Sequence, residues 1–151
     1  MLGILEIASY ICGRYRRDYG AQIDEMKLHK LLYFTQRESI VQTGNPITED
    51  TFEAWKYGPV SPDVHRHFAQ GKIFRTEIET MDPAYTKVLD AVFKLYAQKN
   101  AWSLSTLSHG ELSWQRARAG VPSTYPCTAK LKIEDIREDA NRIRLRRFLV
   151  S

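Results

Sequence analysis

Apolar residues recur along this chain mostly at the three- and four-residue intervals of amphipathic helices. Leu2, Leu5, Ile7, Ala8, Ile11 and Cys12 mark one buried face of a first helix, predicted over residues 2–15. Residues 14–20 then turn basic and aromatic, and Gly20 is read as the helix stop. Asp24 is a favourable N-cap for a second helix, with Glu25 in the first turn, where the helix dipole favours negative charge. Along it Leu28, Leu31, Leu32 and Thr35 form a stripe that Tyr33 and Phe34 widen. Such breadth predicts a central helix touched on more than one side. Thr43-Gly44-Asn45-Pro46, made of turn residues, ends it.

The period changes at residues 52–57, where Phe52, Ala54 and Lys56 alternate with Glu53, Trp55 and Tyr57. Alternation with aromatic enrichment predicts a short β element there, closed by Gly58-Pro59. If the segment is extended, Trp55 and Tyr57 share a side. A second β element is expected at residues 72–78. Ser61-Pro62-Asp63 reads as an N-cap, a first-turn proline and an acidic residue opening another helix that carries Val64 and Phe68. Asp82-Pro83 opens a helix carrying Tyr85, Val88, Leu89, Val92, Phe93 and Tyr96. Residues 102–108 and 111–118 form two short helices broken at His109-Gly110, and residues 120–128 form a loop. The last helix covers residues 133–148, with Ile133, Ile136, Ala140 and Ile143 facing inward. The fold class expected is mainly α (α+β): a compact single domain over residues 1–151, with about six to seven helices.

Composition adds limits. The chain has 151 residues, enough for one hydrophobic core, and its 43% hydrophobic and 26% charged fractions are ordinary for a globular protein. No apolar run approaches the ~20 residues that span a bilayer, and the apolar start lacks a preceding basic residue and a small-residue cleavage pattern. Cys12 and Cys127 stand far apart without metal-ligand spacing, so they are expected to be reduced thiols of a cytoplasmic protein. Of the net charge of +4, residues 1–50 hold six Lys/Arg against seven Asp/Glu, residues 51–100 seven against six, and the rest nine against five. The basic excess belongs to the last third.

Catalytic signatures are missing from the sequence: no nucleophile elbow, zinc-protease helix, phosphate-binding loop or dinucleotide fingerprint occurs. His65 and His67 lie two apart on a predicted helix and point in different directions. His29 reads as a polar-face residue of the central helix. His109, near Glu111 and Trp114, invites comparison with an acid–base pair, but a buried histidine satisfied by local hydrogen bonds at a helix corner is the simpler expectation. No enzyme activity, metal or cofactor is therefore expected. Two arginine clusters, Arg14-Tyr15-Arg16-Arg17 and Arg142, Arg144, Arg146 and Arg147, suit phosphates. For the second, the helix dipole and a Glu138–Arg142 pair offer an intramolecular explanation.

Taken in order, Lys27-Leu28-His29-Lys30-Leu31-Leu32-Tyr33, then Ala54-Trp55-Lys56-Tyr57-Gly58-Pro59-Val60, then His109 and Trp114 resemble the Panacea-domain family, phage-associated antitoxins of toxin–antitoxin pairs. Two departures from the family pattern are His29, where glutamine is expected, and a missing proline before Trp114. The resemblance implies an antitoxin-like protein that neutralises a cognate intracellular toxin, encoded by a neighbouring gene, through direct protein–protein binding. The mechanism is either occlusion of the toxin or its presentation to a cellular protease. The alternatives are a prophage accessory protein or a nucleic-acid-binding module using the arginine clusters. Leu28, Leu31, Tyr33, Trp55, Gly58, Pro59, His109 and Trp114 are expected to determine the fold. Lys56, Tyr57, Arg14, Arg16, Arg17, Arg144 and Arg147 are the candidate partner contacts, since aromatic and arginine side chains dominate such interfaces.

Overall fold

The computed structural model describes residues 1–72 and 81–151. Its described elements run α1 (Ile4–Tyr19), α2 (Glu25–Thr43), β1 (Glu53–Trp55), β2 (Gly58–Val60), α3 (Pro62–Ala69), α4 (Pro83–Val92), α5 (Ala101–His109), α6 (Leu112–Ala117) and α7 (Ile133–Val150). The fold is mainly α, as the helical periodicity predicts, with one two-stranded sheet among the described residues. The β element expected at residues 72–78 lies outside the described residues except for Lys72, which is not in a strand.

Local signals place the helix ends. The Asp24 carboxylate accepts from the Lys27 amide at 2.8 Å, and Gly44 closes α2 at φ 79°. Ser61 caps α3 ahead of Pro62, Asp82 caps α4 ahead of Pro83, and Asn100 caps α5. The helix opened by Asp82-Pro83 does not continue evenly to Tyr96. It changes at Phe93 to a π-helical turn, Phe93–Ala97. That turn carries Tyr96, whose ring stacks on Phe34 with centroids 4.4 Å apart and whose hydroxyl accepts from Arg37.

The centre of the molecule is α2. It is buried continuously from Lys27 to Ile40, because α1, α4, α5, α7 and β2 all pack around it. An amphipathic helix buries a stripe; this one also buries Lys27, His29, Lys30, Arg37 and Glu38. Buried charge is costly unless partnered, so each such residue must be accounted for. Lys27 donates to the Ala97 carbonyl at 2.9 Å and lies over the Tyr15 ring. Glu38 accepts both terminal guanidinium nitrogens of Arg147, at 2.9 and 2.7 Å. His29 corrects the polar-face expectation: it is 3% exposed, because the start of α3 packs across it and the Ser61 amide donates to its Nδ1 at 3.4 Å.

The β element is a hairpin. Glu53, Ala54 and Trp55 of β1 lie opposite Val60, Pro59 and Gly58 of β2, with Lys56-Tyr57 as the turn. Gly58-Pro59 therefore do not merely close a strand; they are one. Pro59 is tolerated because its partner Ala54 turns its amide outward, donating to the Ala129 carbonyl at 2.8 Å, so no ladder bond from position 59 is lost. The Trp114 indole donates to the Trp55 carbonyl and Arg118 to the Ala54 carbonyl, which locks the hairpin to α6 and the turn after it. The extended run ends at Trp55, so strand alternation does not govern Tyr57, although both rings line one cavity. Trp55 meets the His65 ring edge-on, whereas Tyr57, in the turn, meets Trp102.

Candidate functional site

A cavity of about 690 Å³ opens between the first turns of α2, the hairpin and the 124–128 loop. Its surface is mostly apolar, from Met26, Trp55, Tyr57, Val60 and Pro126. Lys30 also lines it, although the residue is only 1% exposed. Gly58 lies over the lysine. Its φ of +125° suits glycine, and a Cβ there would lie 2.6 Å from both the Lys30 Nζ and the Ser108 Oγ. Only a residue without a side chain lets the hairpin cover Lys30 so closely. No hydrogen bond or ion pair reaches the Lys30 ammonium from the described residues. Burial lowers its pKa from 10.5 to about 8.

Glu25, His29 and His65 form a cluster beside this cavity, their donor atoms all within 4.8 Å of one another. Glu25 Oε2 lies 3.0 Å from His29 Nε2 and 2.6 Å from His65 Nδ1. The spacing suits a metal ion; the protonation pattern does not. The Ser61 amide donates to His29 Nδ1, so in the neutral ring Nε2 carries the proton and has no lone pair to offer. The geometry is that of a carboxylate bridging two imidazoles. The hydrogen bond from His29 holds the Glu25 carboxyl below its ordinary pKa, and burial lowers that of His29, which is therefore neutral at pH 7. His67 turns away, its Nδ1 2.8 Å from the Asp63 carbonyl, so the two α3 histidines diverge as their spacing predicts.

One turn further along α2, the opposite pattern appears. The Tyr33 hydroxyl lies within 3.0 Å of Glu111 and Ser113 and 2.9 Å from Asp139. Arg37 donates to Glu111 and to the Tyr96 hydroxyl. Asp139, on α7, accepts the Leu112 and Ser113 amides at 2.7 and 3.1 Å and so caps α6. A single phenolic proton cannot serve two ionised carboxylates, and burial raises the Glu111 pKa against the pull of Arg37. Glu111 is thus committed to this network and is no acid–base partner for His109. His109 stacks on Trp114 with centroids 4.3 Å apart. The ring is half-buried and bonds the backbone at Lys56 and Tyr57, but its Nε2, shielded from solvent, makes no hydrogen bond, so the expected satisfaction by local hydrogen bonds is incomplete. Burial, with Lys30 nearby, lowers its pKa.

Residues 28–115 match the model of the family described as antitoxin SocA-like, Panacea domain. The chain belongs to this family. The Panacea match takes in most of α2, the hairpin and α5, and so includes Lys30, Gly58, His109 and Trp114, but neither α1 nor α7. Antitoxin SocA of Caulobacter vibrioides (strain NA1000 / CB15N) is 47% identical over 47 residues, 31% of this chain and 25% of that protein. The matched stretch thus spans about a quarter of that relative's length. No solved structure matches. Among the described residues, no helix is long and apolar enough to cross a membrane.

Within this Panacea domain the hairpin tip presents its aromatics outward. Tyr57 is 44% and Trp102 65% exposed, their rings edge-to-face with centroids 5.7 Å apart, and the Lys56 ammonium lies 5.2 Å from the Tyr57 ring centre. Trp102 joins the candidate contacts only through the structure. The signal was present: the buried face of α5 is Leu104, Ser105 and Ser108, and position 102 falls off that stripe. The arginines divide. Arg14 pairs with Asp90 and lies over the Phe93 ring, and Arg147 is bound to Glu38. Arg16, Arg17 and Arg144 are exposed. The expected Glu138–Arg142 pair is replaced by Glu138 with Arg116 of α6, since α6 packs alongside α7. The end of α7 leaves Leu145, Phe148 and Leu149 exposed on one face.

Proposed function

We propose that this Panacea protein neutralises a cognate intracellular toxin by direct binding, through the face formed by the hairpin turn and α5. The observation that carries this reading is the exposed Tyr57–Trp102 pair with Lys56 beside it, at the edge of the cavity. Aromatic residues held rigidly at a surface contribute most to protein interfaces, because their area is large and little side-chain entropy is lost. The protein acts by binding rather than by catalysis: its buried carboxylates, tyrosine and arginine are engaged with one another. The arginines favour nucleic acid less than their number suggests, since two of the five candidate arginines, Arg14 and Arg147, already hold carboxylates.

The test is co-expression with each neighbouring gene product. A toxic neighbour whose growth arrest is relieved by this protein, and which co-purifies with it, is the expected result. Tyr57→Ala with Trp102→Ala then removes relief and co-purification while changing stability by no more than about 0.5 kcal/mol per site. If no neighbour is toxic alone, or the double variant protects fully, the reading fails. The exposed apolar face at the end of α7 supports an adaptor mechanism, because presenting a toxin to a protease requires a second surface. Toxin half-life separates the two: occlusion leaves it unchanged, and an adaptor shortens it.

A further inference from the structure

We infer that the Lys30 cavity is a ligand site for an apolar carboxylate, a molecule or chain end whose apolar body fills the space beside Met26, Trp55, Val60 and Pro126 and whose carboxylate pairs with the Lys30 ammonium. The inference goes beyond toxin binding and does not depend on it.

The charge balance points to an anion. Every other buried cation on α2 has its partner: Lys27 the Ala97 carbonyl, Arg37 Glu111 and the Tyr96 hydroxyl. Lys30 is as deeply buried and has none among the described residues. An ammonium taken out of water without a counter-charge is destabilising, so the arrangement is explained if the partner comes from outside. The carboxylate already beside the cavity, Glu25, is engaged by His29 and His65. Lys30 lines the cavity, so an entering group has access to it.

The surroundings narrow the chemistry. A phosphate carries more charge and calls for several donors, usually backbone amides or a guanidinium fork. Here the buried Lys30 ammonium is set in mostly apolar walls, and the further charges of the lining, Lys56 and Glu25, offset each other, which fits a monoanion with one polar end. A volume of about 690 Å³ falls within the range that holds small organic ligands, and it also admits a terminal residue of a peptide. Gly58 is part of the same design, because its missing side chain is what makes room for the lysine head under the hairpin.

The inference is tested by titrating the full chain with 3-phenylpropanoate and with its neutral amide, and with a short peptide ending in phenylalanine, as free acid and as C-terminal amide. Chemical shifts of the Trp55 indole and the Met26 methyl, with calorimetry, report binding. The expected result is that each acid binds about tenfold or more tightly than its amide, as one charge-assisted contact predicts. Lys30→Met abolishes that preference while the apolar contacts persist, and Lys30→Gln serves if Lys30→Met does not fold. Tighter binding of the free-acid peptide identifies a chain end as the source, and tighter binding of phenylpropanoate identifies a free small molecule. Equal binding of acid and amide, no binding of any probe at roughly millimolar concentration, or a preference retained without Lys30 overturns the inference.

Discussion

Two successive stretches of α2 bury charge, and they do so in opposite ways. On one, Tyr33 and Arg37 meet Glu111, Ser113, Asp139 and Tyr96 in a network where carboxylate, phenol and guanidinium bind one another. On the other, one turn earlier, Lys30 has no partner among the described residues and faces a mostly apolar cavity under a glycine. The first arrangement ties α2 to α6, α7 and the π-helical turn and fixes one geometry. The second costs stability and leaves a position open. Buried polar groups that are fully paired specify a fold, whereas one left unpaired at a cavity marks a place where something binds.

Arg37→Met gives the largest expected effect, because it strands Glu111 in the interior. The expected loss is about 3–5 kcal/mol, read as a lower urea midpoint. Adding Glu111→Gln to that variant recovers part of the loss; if it recovers none, the network is not an electrostatic unit. Next is Gly58→Ala, expected to cost about 2–3 kcal/mol, from the left-handed φ and the overlap with Lys30 and Ser108. A near-neutral alanine would mean that the hairpin does not hold the lysine closely.

Lys30→Met has the opposite sign. A pKa lowered from 10.5 to about 8 corresponds to about 3 kcal/mol of lost stability at neutral pH, and a thioether of similar length recovers about 1–2 kcal/mol of it. A destabilised Lys30→Met would show that the ammonium is partnered after all, and the contrast between the two stretches would collapse. The smallest effect is in pH. The His29 pKa is lowered on folding, so as pH falls below about 6.5 the unfolded chain takes its proton first and stability drops. Glu25, also lowered, adds to the loss below about 4.5, while Glu111, raised by burial, opposes it. Urea midpoints between pH 7.5 and 5.5 are expected to fall more in the native protein than in His29→Gln. Identical slopes would remove His29 from the account.

Where the chain states its structure locally, it was legible. Asp24, Ser61-Pro62 and Asp82-Pro83 start helices because a cap acts within three residues of itself. The hairpin was read only to Tyr57, since the pairing of Gly58-Pro59-Val60 depends on register with β1 and on the 129–131 segment along its other edge. His29 and Arg147 looked like surface residues for a similar reason: whether a charged helix position meets water or Glu38 is decided by what packs over it. Of the candidate site, Trp55 and Tyr57 are visible as aromatics in a short extended run, whereas Lys30 reads as one lysine in an amphipathic helix.

By itself, then, the sequence determined a mainly helical chain, the ends of most helices, and membership of a family recognisable from two motifs and a His–Trp pair. These are properties of short-range energies and of residue order. Only the tertiary structure decided that α2 is buried on all sides, that one of its lysines has no partner among the described residues beside a cavity, and that an arginine one turn away from Tyr33 is bound to Glu111 and Tyr96. Solvation and pairing of a charge depend on neighbours from distant parts of the chain, and hydrophobic periodicity carries no record of them.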